Sequence, residues 1–426
     1  MFVIINGHII DPANNINRKL TLAFEKGKIA FVGNRRDLPK EFNKAEVIDA
    51  AGCYVTPGFI DLHTHLRDPG FEYKETIATG SRAAAAGGFT TIVCMPNTEP
   101  VNDNAEVTNY IRRKAQREAV INILPAGAIT KRLEGKELAE FGEMKEAGVV
   151  ALTDDGKCVT DAGIMRKAME YARMLDLPIF IHAQDYSLCG NGVMNEGENS
   201  VKFGLPGIPA AAEDVIVARD IELAQLTGAR IHIAHCSTQR QTKVIRDAQR
   251  RGIKVSAEAT PHHLLLTDDM CASYDPNFKM YPPLRTQNDR KALRKALAEG
   301  TISAIATDHA PHAENEKLCE FEEALNGVVG LETALPVALD LVEKKNCTLS
   351  QTIYALTAGP AKILGLPLGS LSVGADADIT IFSTTEKFIV KPENFYSKGR
   401  NTPFSGMELR GKVKKTIYHG RVIHES

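Results

Sequence analysis

Two textures of hydrophobic and polar patterning alternate along the chain. The first fifty residues are short alternating β-like runs, "FVIINGHIIDP", "LTLAFEKGKIAFVG" and "AEVIDAAGCYVTPG", punctuated by Asn-Gly, Lys-Gly and Ala-Gly as hairpin turns would be. The last sixty read alike, in "GSLSVGADADITIF" and "KKTIYHGRVIHES". This shared texture predicts one small composite β-sandwich domain, residues 1–54 plus 369–426, closed by bringing the chain ends together. Between 55 and 368 a different unit repeats: short apolar strand, polar loop, long helical stretch. Strands are expected at 58–65, 89–95, 121–128, 149–153, 178–183, 230–236, 254–259 and 303–307. Eight such units over roughly 300 residues predict an α/β fold of the TIM-type (β/α)8 barrel class. A doubly wound open sheet would need a glycine-rich phosphate turn after its first strand, and "DLHTHLRDPG" is not one.

Composition narrows the function classes. The chain of 426 residues is too long for one ordinary core, and 43% hydrophobic with 24% charged residues is ordinary globular composition. A formal net charge of -2 and the absence of Trp leave neither a field nor a stacking surface for nucleic acid or anionic membrane. The start, "MFVIINGHIIDPANN", has no positive n-region, and no apolar run approaches membrane-spanning length, so a cytoplasmic location is expected. Eight scattered cysteines without a CxxC are expected to be reduced, packed thiols.

Candidate chemistry gathers where a barrel would put it, at the C-terminal ends of the strands. The first expected strand ends in His63 and His65, and the fourth runs into Asp154 and Asp155. His182 ends the fifth, His232 and His235 the sixth; His262 and His263 follow the seventh; Asp308, His309 and His312 follow the eighth. Nine of the twelve histidines fall in these segments. Residues i and i+2 of a strand share a face, so His63 and His65 can grip one cation, and nitrogen and carboxylate donors without cysteine suit zinc. His232 and His235 are three apart and face opposite sides, and His235, nearer the strand end, is the expected ligand.

These residues carry a resemblance. "PGFIDLHTHLRDPG", "GGFTTIVCMPNTEPV", "TDDG", "HAQDYSL", "HCST", "TPHHLLLTDD", "ATDHAPH" and "NTPF" make the chain resemble, over nearly its whole length, a class I dihydroorotase of the amidohydrolase superfamily of metal-dependent cyclic amidohydrolases. The resemblance implies a binuclear zinc centre, one or two ions per subunit. His63, His65 and Asp308 would hold one ion, His182 and His235 the second, and Asp155 would bridge them. Relatives acting on hydantoins or dihydropyrimidines use a carboxylated lysine as bridge, whereas "ALTDDG" offers none before Lys157. Asp154 is expected to hold the turn or a backbone amide.

The reaction so implied is the reversible cyclisation of N-carbamoyl-L-aspartate to dihydroorotate, the third step of de novo pyrimidine biosynthesis. Metal-activated hydroxide would attack the ring amide, with Asp308 as general base and then general acid. Arg67 suits the free substrate carboxylate. The resemblance adds His65, Asn97, His312, Asn326 and Gly327 as substrate contacts, with Tyr281 where relatives carry an asparagine before the proline pair. Asn326 also departs from the aromatic or proline common there. Asp61 could orient a ligand histidine. Two alternatives stand beside this reading: a hydantoinase- or allantoinase-like enzyme, and a non-catalytic subunit supporting aspartate carbamoyltransferase. Homo-oligomerisation and association with that transferase are further implications.

Overall fold

The computed structural model describes all 426 residues. Eight strands lie side by side in chain order, each parallel to its neighbours: β1 (Phe59–Thr64), β2 (Phe89–Cys94), β3 (Asn122–Gly127), β4 (Ala151–Leu152), β5 (Ile179–Ile181), β6 (Ile231–Ile233), β7 (Val255–Ala259) and β8 (Ala304–Ile305). Parallel strands covered on both faces become unbroken apolar runs, and every residue of β1 and β2 is buried. The sheet curls until its ends meet. Thr64 and His309 form a parallel bridge, and His65 N donates to His309 O at 2.8 Å. Asp61 reinforces this junction, its carboxylate accepting from Thr307 Oγ1 at 2.6 Å, Thr307 N at 3.1 Å and His63 N at 3.0 Å.

Eight strands are found where eight were expected, with β4, β5, β6 and β8 shorter than the apolar runs suggested. The residues beyond each short strand leave the ladder, and their side chains converge over the barrel mouth. Helices cover the outside, including Ile77–Ala86, Ala162–Met174, Gln239–Arg250 and Gln287–Ala298. Their starts are written in the sequence. Thr76, Thr238 and Thr286 each close a capping box with the side chain three residues on, a device that satisfies two orphan amides. Each fully buried Phe or Ile of the core, such as Phe89, Phe141 or Ile305, adds about 1.5–3 kcal/mol of burial free energy.

The chain ends build two further sheets. One has the order Arg421–Glu425, Glu408–Tyr418, Ile379–Ile389, Tyr54–Pro57, His8–Asp11, Ile16–Lys19; the other runs Lys28–Gly33, Thr21–Glu25, Phe2–Ile5, Glu46–Asp49. Residues from both termini share one core, in which Ile4, Leu22, Phe24 and Val55 meet Ile379, Ile381 and Ile417. Only Lys26-Gly27 forms an expected hairpin, pairing Thr21–Glu25 with Lys28–Gly33. Asn6-Gly7 and Ala51-Gly52 instead pass the chain from one sheet to the other, because each strand's apolar face is buried by switching layers. Gly7 permits the close approach: a Cβ there would lie 2.6 Å from Val55 Cγ2. No helix is long and apolar enough to cross a membrane, and all eight cysteines are free thiols.

Candidate metal centre and substrate cavity

Strand ends from five parts of the barrel meet around Asp155. His63 Nε2 is 3.0 Å from its Oδ1, His182 Nδ1 3.3 Å and His235 Nε2 3.8 Å, while His65 Nε2 is 3.4 Å from Oδ2. Asp308 Oδ1 stands 3.1 Å from His65 Nε2 and 3.5 Å from His63 Nε2. Two groups, His63–His65–Asp155 and Asp155–His182–His235, each bring their ligand atoms within 4.8 Å of one another. Three non-glycine residues here adopt left-handed backbone: Arg67 (φ 61°), His235 (φ 32°) and Asp308 (φ 48°). Such strain collects where side chains must be aimed at one point.

These donors fit a metal cation. Nδ1 of His63 pairs with Glu258 Oε1 at 3.0 Å, so the proton belongs on Nδ1 and the Nε2 lone pair faces the carboxylates of Asp155 and Asp308. That buried Nε2 has no hydrogen-bond partner. A lone pair turned on two carboxylates repels them unless a cation lies between. Likewise His182 Nδ1 and His235 Nε2 confront each other at 2.9 Å while His182 Nε2 is engaged by Gln184 Oε1 at 3.0 Å.

Charge is sharply organised. Burial alone would raise the Asp155 and Asp308 carboxyls, but the surrounding histidines, His63 foremost, hold both well below the usual carboxylate range. Burial alone would lower His63, yet with no cation between them Asp155 and Asp308 push it up, favouring a proton on the same Nε2 that would otherwise face a metal. Burial works to raise Glu258, and hydrogen bonds from His232 and His63 bring it down to about 2.

A cavity of about 390 Å³ opens over the cluster. Its lining holds His65, Arg67, Asn97, Tyr281, His312, Asn326 and Gly327, all named from the sequence, beside Asp155, His182, His235 and Asp308. Arg67 donates from Nε to Pro311 O at 3.2 Å and has no carboxylate within ion-pair distance, leaving most of its fork for an anion. Asn97 Oδ1 pairs with His65 Nδ1 at 2.9 Å, so this amide orients a candidate ligand as well as facing the cavity. His312 Nε2 donates to Asn326 O at 2.8 Å, and burial, then Arg67, drives the pKa of this histidine down to about 3. The Tyr281 ring lies near-parallel to His182, centroids 6.5 Å apart. Tyr186 and Leu325 also line the cavity, without having been expected there.

Other expectations sort themselves by contact. His232 does not reach Asp155; its Nε2 lies 3.0 Å from Glu258 Oε2, on the same carboxylate that pairs with His63. Asp154 accepts from Ile129 N at 2.8 Å and Thr130 N at 3.0 Å, pinning the turn. Asp61 reaches the backbone amide of His63 rather than a ring nitrogen. His263 holds the segment at 282 through Pro282 O at 3.0 Å, and His262 is buried beside it. Glu258 is the functional residue that sequence reasoning missed. Its signal was an isolated acid inside the apolar run "VSAEA", a position that a fully buried strand does not give to a charge without a partner.

The model of the family "Dihydro-orotase-like" matches residues 52–241. A curated relative, "Dihydroorotase" of Syntrophotalea carbinolica, is 52% identical over 422 residues, 99% of this chain and 98% of the relative. The "Dihydroorotase" of Geotalea daltonii is 50% identical over 419 residues, 98% of each chain. Among solved structures, "L-Hydantoinase (Dihydropyrimidinase) from Arthrobacter aurescens" superposes with a TM-score of 0.90 at 24% identity, covering 100% of this chain and 96% of that one. That likeness bears on the barrel fold.

Proposed function

The chain belongs to the dihydroorotase family and hydrolyses a cyclic amide, and from that premise we propose how its own residues carry the reaction. The reaction is the reversible closure of N-carbamoyl-L-aspartate to dihydroorotate. In the proposed centre His63, His65 and Asp308 would hold one zinc ion and His182 and His235 a second, with Asp155 available to both. What carries this reading is Asp155, one carboxylate within 3.0–3.8 Å of ring nitrogens of His63, His65, His182 and His235. When bound, the metal supplies a water of lowered pKa and positive charge for the scissile carbonyl oxygen.

The protein's side chains do the rest. The Asp308 carboxyl, held well below the usual carboxylate range, faces the cavity beside His65, so its oxygen not turned toward the metal can take a proton and return it to the ring nitrogen as the amide opens. In the closing direction the same oxygen receives the nitrogen's proton. Arg67 binds the substrate carboxylate through its unengaged fork, and Asn97, His312 and the Asn326–Gly327 backbone fix the ring against it. Tyr281 stands over His182 and narrows the opposite wall. Residues 1–54 with 369–426 form the β domain in this proposal, and 55–368 the catalytic barrel. Self-association and docking to aspartate carbamoyltransferase are part of the same reading, to be checked by sedimentation and co-purification.

The deciding experiment is a zinc-supplemented assay of dihydroorotate, hydantoin and allantoin in parallel. Turnover confined to dihydroorotate is expected. Preference for an uncharged ring would overturn the assignment of Arg67.

A further inference from the structure

The stretch "NTPF", 401–404, lies far from the cavity lining in sequence, and none of its residues lines the cavity. Asn401 is nonetheless buried, 3% exposed, with all its side-chain bonding directed at two loops that do line it. Nδ2 donates to Ala310 O at 3.0 Å and to Gly327 O at 3.1 Å, and Oδ1 accepts from His312 N at 3.1 Å. Its own carbonyl accepts from Val329 N at 2.9 Å. From below, the buried Lys317 amine donates to Leu325 O at 2.8 Å, Gly327 O at 3.1 Å and Lys279 O at 3.2 Å. The Gly327 carbonyl thus takes one bond from each side chain.

The loop so held has little freedom of its own. Gly327 has φ +125°, and a Cβ there would lie 2.7 Å from Ala310 Cβ and 3.2 Å from His312 Nε2. Ala310, His312, Leu325, Asn326 and Gly327 all face the cavity. A shift of this backbone would carry Asn326 and His312 away from a bound ring without disturbing Asp155 or the four histidines.

We propose that Asn401 and Lys317 are positioning residues for substrate binding, a polar stitch from the C-terminal segment and from the barrel that sets the Asn326–Gly327 loop against His312. This rests on the cavity being the substrate site of the proposed reaction. Buried donors satisfied at several carbonyls at once fix a backbone more firmly than one exposed bond would.

Asn401→Ala, Asn401→Asp and Lys317→Met separate positioning from folding. Asn401→Asp keeps the acceptor for His312 N and loses both donors. In each soluble variant KM for dihydroorotate should rise about tenfold, with kcat within about threefold and zinc content unchanged, as expected for lost ground-state and transition-state binding alike. Unchanged KM in the soluble variants, or loss confined to kcat and zinc, would overturn the proposal. If Asn401→Ala fails to fold, Asn401→Asp and Lys317→Met decide the question by the same two readings. Amide hydrogen exchange over 325–329 needs no substrate: faster exchange in the variants is expected, and unaltered exchange overturns the stitch even if the wild type proves to act on another ring.

Discussion

Nδ1 of His63 and Oε1 of Glu258 lie 3.0 Å apart although 195 residues separate them in sequence, and the pair fixes which ring nitrogen of His63 faces the barrel mouth. Glu258 is fully buried and its second oxygen is 3.0 Å from His232 Nε2. A carboxylate that orients a ligand imidazole raises its basicity. Glu258→Gln keeps the shape and loses one of the two acceptors. Zinc affinity, measured by competition with a chromogenic chelator, should drop about tenfold to hundredfold; unaltered affinity would remove Glu258 from this role.

Asp155 is the carboxylate on which both histidine pairs converge. Chelation should abolish turnover and lower the melting temperature of the wild type, since a ligand at 100 times its Kd stabilises by about 2.7 kcal/mol. Asp155→Ala should have a melting temperature that no longer responds to zinc or chelator. A zinc-dependent shift persisting in that variant would contradict the proposed centre.

For Asp308, proton transfer is the assigned task. Asp308→Ala should reduce kcat by about 10²–10⁴, in the range of general acid–base contributions, while far-UV circular dichroism stays at wild type. Turnover at the wild-type rate would exclude it.

Arg67 carries no carboxylate partner of its own. Arg67→Ala should raise KM for dihydroorotate about tenfold to hundredfold, roughly 1.4–3 kcal/mol. Hydantoin, lacking the carboxylate, should bind no worse. Equal losses for dihydroorotate and for hydantoin, the latter read as a competitive inhibitor, would mean that Arg67 shapes the site rather than binding an anion.

Glu332 accepts from Tyr396 N at 2.9 Å and Ser397 N at 3.2 Å, clamping the segment that leads to Asn401. Burial raises its pKa from 4.5 to about 7, against the pull of those two amides. Between pH 4.5 and 7 the folded protein therefore binds more protons at this group than the unfolded chain, so its contribution to stability falls as pH rises. Glu332→Gln should flatten that limb, gaining on the wild type by up to about 3 kcal/mol from pH 4.5 to 7.5 in urea titrations. Parallel profiles would show that Glu332 does not titrate there.

What could be read from sequence was whatever the backbone's own periodicity controls. An HxH at a strand end puts two rings on one side, and "TDDG", "FIHAQD", "HIAHCS" and "ATDHAPH" each mark one stave ending in a candidate ligand. The choice of His235 over His232 was argued from opposite facing, but His232 reaches Glu258, the carboxylate that also pairs with His63. What separates the two is that only His235, nearer the strand end, comes within 3.8 Å of Asp155. What could not be read depends on register between distant segments. Nothing local to "SAEA" tells that Glu258 stands opposite His63, nor that Asn401 reaches the carbonyls of residues 310 and 327. The Asn-Gly and Ala-Gly turns misled for the same reason: a turn dipeptide gives a bend, and the burial of the following strand decides which sheet receives it.

The bridge between Thr64 and His309, with Asp61 braced on Thr307, closes a ring of strands at the only place where first and last in the sequence become neighbours. His63 and His65 stand on one side of that seam and Asp308 on the other. A cation held by all three would act as a rivet through the joint, so catalytic competence and closure of the barrel would be one property. Gradual loss of zinc would then announce itself first as loosening along this line, before any helix on the outer wall let go.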